Sequence, residues 1–237
     1  MQGSHYLVTG ASRGIGLAIA RTIVDAGGEV TGLSRIAGEL EGEAGYHFVE
    51  CDFSRLGEAA EKLKALRKRI APLDGLILNA GFGRFGMLEE FSAARIRELI
   101  DVNLTSQILV AREFLPQMKR RKAGDIVIIG SEAALKGGQK GSIYCASKFA
   151  LRGFAQSLRE ECAAAGIRVT LVNPGMVKSE FFSDQNFRPS PQPGCHLLPE
   201  DVARTVMFVL DTRAGVDFDE IDLSPQKRVI EWGREES

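Results

Sequence analysis

The chain has 237 residues, enough for one large domain with a substantial core. Its 30 lysines and arginines against 31 acids leave a net charge of −1, without the basic excess of a nucleic-acid binder or a long run of one sign. No apolar stretch reaches the length of a membrane span, and the N-terminus enters a strand pattern without a signal-peptide layout, so a cytoplasmic protein without a membrane partner is expected. Four cysteines, Cys51, Cys145, Cys162 and Cys195, show neither CxxC spacing nor a disulfide framework. Free thiols and no metal site are expected.

Tyr6–Thr9 reads as the first strand. Thr9-Gly10-Ala11-Ser12-Arg13-Gly14-Ile15-Gly16 follows directly and runs into a helix over Leu17–Ala26. Glycines at such a junction permit a tight turn and close backbone approach, and the helix N-terminus offers free N–H groups and a positive dipole end to a pyrophosphate. The spacing is G-x-x-x-G-x-G, and the Lys-Ser/Thr of a P-loop is missing. A second strand, Glu29–Leu33, leads into Ser34-Arg35. An NAD-preferring site carries a carboxylate here for the ribose 2′-hydroxyl. With Ser34 in that place, Arg13 and Arg35 are expected to converge on a 2′-phosphate, for which guanidinium geometry is suited. The expected cofactor is therefore NADP(H) rather than NAD(H); the plain alternative is that both arginines are solvated surface.

Further strands are predicted over Tyr46–Glu50, Gly75–Leu78, Asp125–Ile129 and Val169–Val172, with runs such as Ile126-Val127-Ile128-Ile129 suited to a sheet buried on both faces. Helical stripes fall on Leu56, Ala59, Leu63, Leu66 and Ile70, on Ile108, Leu109, Leu115 and Met118, and across Phe149 to Leu158. Lys119-Arg120-Arg121-Lys122 reads as a solvated helix end, where cations favour the dipole. Residues 180–198, with Pro189, Pro191, Pro193 and Gly194, form the one long irregular stretch and are expected to be a mobile substrate lid. Pro199-Glu200-Asp201 opens a late helix, and the alternation over Val216–Gln226 suits a last strand with one covered face. Strand–helix alternation throughout predicts an α/β fold: a doubly wound, mostly parallel sheet in a Rossmann-type three-layer sandwich, one domain over residues 1–237.

Tyr144 and Lys148 are four residues apart in a helix-compatible stretch, which places them on one face. A free phenol titrates near pH 10, and bringing it to roughly 7 takes about 4 kcal/mol of differential stabilisation. An ammonium ~4 Å away supplies about that much at an effective dielectric near 20. The pair reads as a tuned acid–base tyrosine, with ordinary helix surface as the alternative.

These motifs together closely resemble the short-chain dehydrogenase/reductase family over nearly the whole chain. Thr9–Gly16 is similar to the TGxxxGIG cofactor loop, and Asp52 with Phe53 to the site that receives the adenine. Asn79-Ala80-Gly81 is similar to the NAG motif, and Asn173-Pro174-Gly175 to the turn flanking the nicotinamide, followed by Val177 and Ser179. Ser179 stands where the family commonly has threonine. Asn103, Ser131, Tyr144 and Lys148 match the catalytic tetrad. The resemblance implies that Tyr144 exchanges a proton with the substrate oxygen, that Ser131 hydrogen-bonds that oxygen, that Lys148 lowers the tyrosine pKa and holds the ribose, and that Asn103 holds a water linking Lys148 to solvent. It implies a carbonyl or secondary-alcohol substrate and a homodimer or homotetramer paired through the helices holding Asn103–Met118 and Tyr144–Ala164. A non-catalytic NADP-binding regulatory protein of the same fold is the rival. The C-terminus departs from the family by lacking the usual Val-Asp-Gly-Gly ending. Phe82, Phe85, Met87, Phe181, Phe182 and Phe187 are expected near the mouth, as pocket lining or as core, and Arg84 and Lys136 are candidates to meet an acidic substrate group.

Overall fold

In a computed structural model that describes residues 1–233, seven parallel strands form one sheet with helices on both faces. In chain order the elements are β1 (His5–Thr9), α1 (Gly14–Asp25), β2 (Glu29–Ser34), β3 (Tyr46–Glu50), α2 (Leu56–Arg69), β4 (Gly75–Leu78), α3 (Ala93–Ile100), α4 (Ser106–Arg121), β5 (Gly124–Ile129), α5 (Ser142–Ala163), β6 (Ile167–Pro174), β7 (Phe187–Pro189), α6 (Pro199–Asp211), β8 (Glu220–Leu223) and β9 (Ile230–Trp232). The sheet order is β3-β2-β1-β4-β5-β6-β8, so the direction of winding reverses between β1 and β4. At such a reversal the loops leave in opposite directions and open a crevice at the strands' carboxyl ends.

The sheet is buried on both faces because its strands are continuously apolar: β1 and β4 are buried at every residue. One core packs Leu63, Leu66, Phe114, Met118, Leu151 and Leu158 of α2, α4 and α5 against the sheet. The other packs Ile19, Ile23, Val202 and Val206 of α1 and α6 against the opposite face. The predicted strands are all present, with β6 longer at both ends because its flanking residues also find ladder partners.

Three expectations are corrected. α1 begins at Gly14, inside the glycine motif rather than after it. The face of α4 that meets the sheet carries Gln107, Val110, Ala111, Phe114 and Met118, while Ile108, Leu109 and Leu115 are only half-buried. That helix is apolar on two sides, and periodicity alone does not say which one the sheet takes. Residues 180–198 are not irregular throughout: a 3₁₀ turn over Glu180–Phe182 precedes β7, and β7 pairs antiparallel with β9. The excursion is closed at its base by a bridge between Val177 and Leu197, with Lys178 N–H donating to Leu197 O at 2.8 Å.

The basic run ends α4 as expected, and Arg121 pairs there with Asp74 at 2.6 Å. All four cysteines are free and buried. No helix among the described residues is long and apolar enough to cross a membrane.

Candidate active site

The crevice between β1 and β4 is built by Thr9 and Asn79. The Thr9 hydroxyl oxygen accepts from the N–H groups of Asn79 and Ala80, both at 2.9 Å, and Asn79 Nδ2 donates to the carbonyls of Thr9 (2.9 Å) and Gly10 (3.3 Å). Gln107 joins them from α4, accepting from the Thr9 hydroxyl at 3.3 Å and donating to Ala80 O. Packing here is so close that a Cβ on Gly16 would lie 2.1 Å from Gly10 O, and one on Gly10 would lie 2.9 Å from Asn79 Nδ2. Gly14 differs. It takes φ +56°, and a Cβ there would meet nothing nearer than Ser179 Cβ at 3.8 Å. The first turn of α1 has no side-chain cap and no acid. Its donors therefore face the open space in front of Gly14, a cradle that fits a pyrophosphate. Ser12 lies against Gly38, whose added Cβ would stand 2.6 Å from Ser12 O, and Ile15 packs on the core beneath.

At the adenosine end the expected residues are less uniform. The Ser34 hydroxyl donates to Ile36 O at 2.7 Å, within its own turn. Arg35 is exposed beyond it. Asp52 accepts from the N–H and hydroxyl of Ser54 at 2.9 and 2.8 Å. Partial burial works to raise its pKa, but these hydrogen bonds, with Arg35 and Arg55, bring it below the usual carboxylate range. The Phe53 ring is buried in the core. Arg13 does not turn toward Arg35: it forms an ion pair with Glu180 of the 3₁₀ turn at 2.8 Å, while Arg35 acts on Asp52. The expected convergence of two guanidinium groups is therefore not seen; each is drawn to the nearer carboxylate.

Ser131, Tyr144 and Lys148 come together at the carboxyl end of β5. Ser131 caps a 3₁₀ turn, its hydroxyl oxygen accepting from Ala133 N–H at 3.1 Å, and it hydrogen-bonds the phenol of Tyr144. Tyr144 and Lys148 lie in the first turns of α5, both buried, with Lys148 Nζ 5.9 Å from the Tyr144 ring centre. Surface helix is thereby excluded for the pair. The ammonium donates to Ile129 O at 3.1 Å. Burial pushes the phenol up to about 12, against the hydrogen bond from Ser131, and burial brings the lysine down to about 8. Here the expected lowering of the tyrosine by the lysine is reversed, because desolvation outweighs a charge that points at a strand carbonyl.

Asn103 sits in a π-helical turn over Asp101–Thr105 that joins α3 to α4, a deviation common at functional sites. Its amide clasps the Phe82 backbone, accepting from N–H and donating to O at 2.9 Å each, and also donates to Ser147 Oγ at 3.3 Å. It thereby fixes the turn after Gly81, where an added Cβ would lie 3.1 Å from Asn103 Oδ1.

Gln107 and Asp222 escaped sequence reasoning as parts of the site, while Thr9 and Asn173 stood in the motifs without their bracing roles. Thr9 and Gln107 lock the crevice, as above. Asn173 accepts from Ser131 N–H at 3.3 Å and donates to Asp222 at 3.0 Å, so β8 steadies the serine through β6. A buried polar residue inside an apolar strand was the available signal. Pro174 ends β6, and Gly175 N–H donates to Leu223 O at 2.7 Å, bringing the turn toward Val177 and Ser179. Ser179 accepts from Phe181 N–H at 3.4 Å and caps the 3₁₀ turn.

The glycine cradle, the crevice at the winding reversal and the buried serine–tyrosine–lysine cluster all lie at the carboxyl edge of one sheet. The family model for short chain dehydrogenase matches residues 4–189. The chain belongs to this family. It is 34% identical over 212 residues to carbonyl reductase family member 4 of Xenopus laevis, covering 86% of this chain and 90% of that one. It is 31% identical over 240 residues to farnesol dehydrogenase of Aedes aegypti, covering 94% and 96%. Among solved structures, the alcohol dehydrogenase of Thermococcus sibiricus complexed with 5-hydroxy-NADP superposes with a TM-score of 0.83 at 28% identity, covering 95% and 98%. Short-chain dehydrogenases are enzymes that act on CH–OH or carbonyl groups with a nicotinamide cofactor, and this chain has the fold and the cradle for that chemistry.

Proposed function

We propose that this short-chain dehydrogenase interconverts a carbonyl and a secondary alcohol with NADP(H), using Tyr144, Ser131, Lys148 and Asn103. The observation that carries this reading is the meeting of the Ser131 hydroxyl, the Tyr144 phenol and the Lys148 ammonium at the strand ends beside the Gly14 cradle. The bound cofactor supplies or accepts the hydride. Gly10, Gly14, Gly16, Asn79, Ala80 and Gly81 shape its cleft, Ser12 and Ile15 line the glycine turn, and Pro174, Gly175, Val177 and Ser179 close the nicotinamide end. Ser34, Arg35, Asp52 and Phe53 surround the adenosine end.

A phenol titrating near 12 is fully protonated at neutral pH, the form needed to give a proton to a carbonyl oxygen as charge develops there. Ser131 holds the same oxygen and offsets that charge. Lys148 is positioned to hold the nicotinamide ribose and, near its own pKa of about 8, to return a proton to the phenol. Asn103 keeps the Phe82 turn and Ser147 in place behind the lysine.

Preference for NADP(H) rests on Arg35 and on the lack of an acid at Ser34, and is supported by the NADP analogue in the Thermococcus sibiricus neighbour. Pairing of subunits through α4 and α5 is part of the same reading, supported by half-buried Ile108 and Leu115 and by Phe149, 42% exposed. A cytoplasmic location is supported by the four free thiols.

Tyr144→Phe removes the proton and keeps the ring. With any ketone the wild type reduces, kcat should fall by about 10³-fold while NADPH affinity is kept. A variant that retains most of its rate would overturn the assignment.

A further inference from the structure

The family match ends at residue 189, yet the chain beyond it returns to the site. Past β8 the backbone crosses the lid and zips onto it: Lys227 N–H donates to Gly194 O (2.8 Å), Ser190 N–H to Val229 O (3.0 Å) and Gly233 N–H to Asn186 O (2.9 Å). Within this ribbon β9 pairs with β7, Trp232 opposite Phe187, and Arg188 pairs with Glu231 at 3.5 Å. Two strands of three residues do not stand alone, so side chains must hold them.

The side chains that do so are aromatic. Trp232 lies 5.6 Å from Phe187, which meets Phe85 edge-on at 4.9 Å and Phe182 at 5.6 Å; Phe182 meets Phe181 at 5.0 Å. Phe85 and Phe181 then lie 5.2 and 5.9 Å from the Tyr144 ring. An unbroken train of rings therefore runs from Trp232, 68% exposed, to the phenol, 7% exposed. Gly83 lets this happen, since a Cβ there would lie 2.3 Å from Phe181.

A substrate that reaches the phenol must part these rings. A flat, uncharged group restores ring-to-ring contact on both sides, with the offset and edge geometries that aromatic pairs prefer. A carboxylate would lose its hydration among hydrocarbons. The cations suggested by the sequence do not help it: Arg84 and Lys136 are exposed, Arg188 is engaged with Glu231, and the carboxylate of Glu132 bears on the phenol.

We propose that β9 is part of the substrate site, with Trp232 as a specificity-determining residue, and that the site takes an uncharged carbonyl or alcohol bearing an aromatic or similarly flat apolar group. This rests on the oxidoreductase reading of Tyr144, and binding separates the two. Trp232 is the chain's single tryptophan, so tryptophan emission reports this ring alone.

The protein saturated with NADP⁺ is titrated with benzylacetone, an aromatic ketone, and with levulinate, a carboxylated aliphatic one. Benzylacetone should change the emission saturably and bind at least about tenfold tighter than levulinate. By calorimetry, Trp232→Ala should weaken benzylacetone about tenfold and leave levulinate alone, while Trp232→Phe, which keeps a ring, should restore most of the loss. Phe187→Leu should behave like Trp232→Ala with an unchanged unfolding transition. Equal or tighter levulinate binding would overturn the proposal. So would Trp232→Ala without effect, or emission that follows protein concentration and ignores benzylacetone, which would make the ring a subunit contact. Benzylacetone that binds with this signature but is never reduced by NADPH would uphold the ring site and refute the oxidoreductase reading.

Discussion

Lys148→Met should trade catalysis for stability, and the trade is measurable in pH. The ammonium is buried with Ile129 O as its acceptor, and its pKa falls from 10.5 to about 8. Holding the charge inside the fold therefore costs roughly 3 kcal/mol at neutral pH, at 1.36 kcal/mol per pKa unit. The sign follows from proton counts. Between pH 8 and pH 10.5 the unfolded lysine keeps a proton that the folded one has released, so this group makes stability rise with pH across that window. Below pH 8 both states are protonated and the full cost is present; above 10.5 neither is, and it vanishes. Methionine fills similar volume without a charge, leaving Ile129 O one donor short, a loss of about 1–3 kcal/mol. The net change at pH 7 is thus a modest gain, but the pH slope is diagnostic. Urea unfolding of both proteins without cofactor, at intervals from pH 7 to pH 10, should show the wild type gaining roughly 2–3 kcal/mol relative to Lys148→Met as pH rises. Stopping at pH 10 avoids Tyr144, whose raised pKa makes stability fall above its unfolded value of 10.0. Parallel stability curves would refute the claim that the folded site disfavours the charge.

Gly130→Ala would place a Cβ 2.2 Å from Asn173 Oδ1, the acceptor for Ser131 N–H. It should cost about 1–3 kcal/mol in denaturant unfolding and lower kcat without raising the KM for NADPH. Arg35→Ser should weaken NADPH about tenfold and leave NADH unchanged in paired calorimetric titrations, because only the 2′-phosphate is lost. Equal loss of both cofactors would refute a 2′-phosphate role for Arg35. His5 is buried against Thr31 at 2.8 Å, and desolvation lowers its pKa below 6.5. The folded state resists the proton that the unfolded state accepts, so stability should decline as pH falls below 6.5, and His5→Gln should flatten that decline in thermal melts.

Much of the site was legible because its chemistry is carried by local spacing. Tyr144 and Lys148 share a helix face wherever that helix lies, and a glycine loop between a strand and a helix makes its turn from φ preferences alone. What spacing does not carry is environment. The tyrosine–lysine pair was expected to lower the phenol's pKa. Burial raises it instead, and the rings packed against the phenol, Phe85 and Phe181, come from other segments of the chain. Arg13 is similar: its place in the loop was plain, but its partner Glu180 is supplied by a segment on the far side of the sequence.

The sequence by itself determined the strand–helix alternation, the parallel sheet and the identity of the polar groups at its carboxyl end, since each follows from hydrophobic period, turn chemistry and short-range geometry. Only the tertiary structure decided which face of α4 is buried, how Thr9, Gln107, Asn173 and Asp222 brace the site, and that a train of rings from the C-terminal strand ends at the phenol. Those depend on contacts between segments up to a hundred residues apart in the chain, as between Thr9 and Gln107, and they form only when the sheet brings its strand ends together.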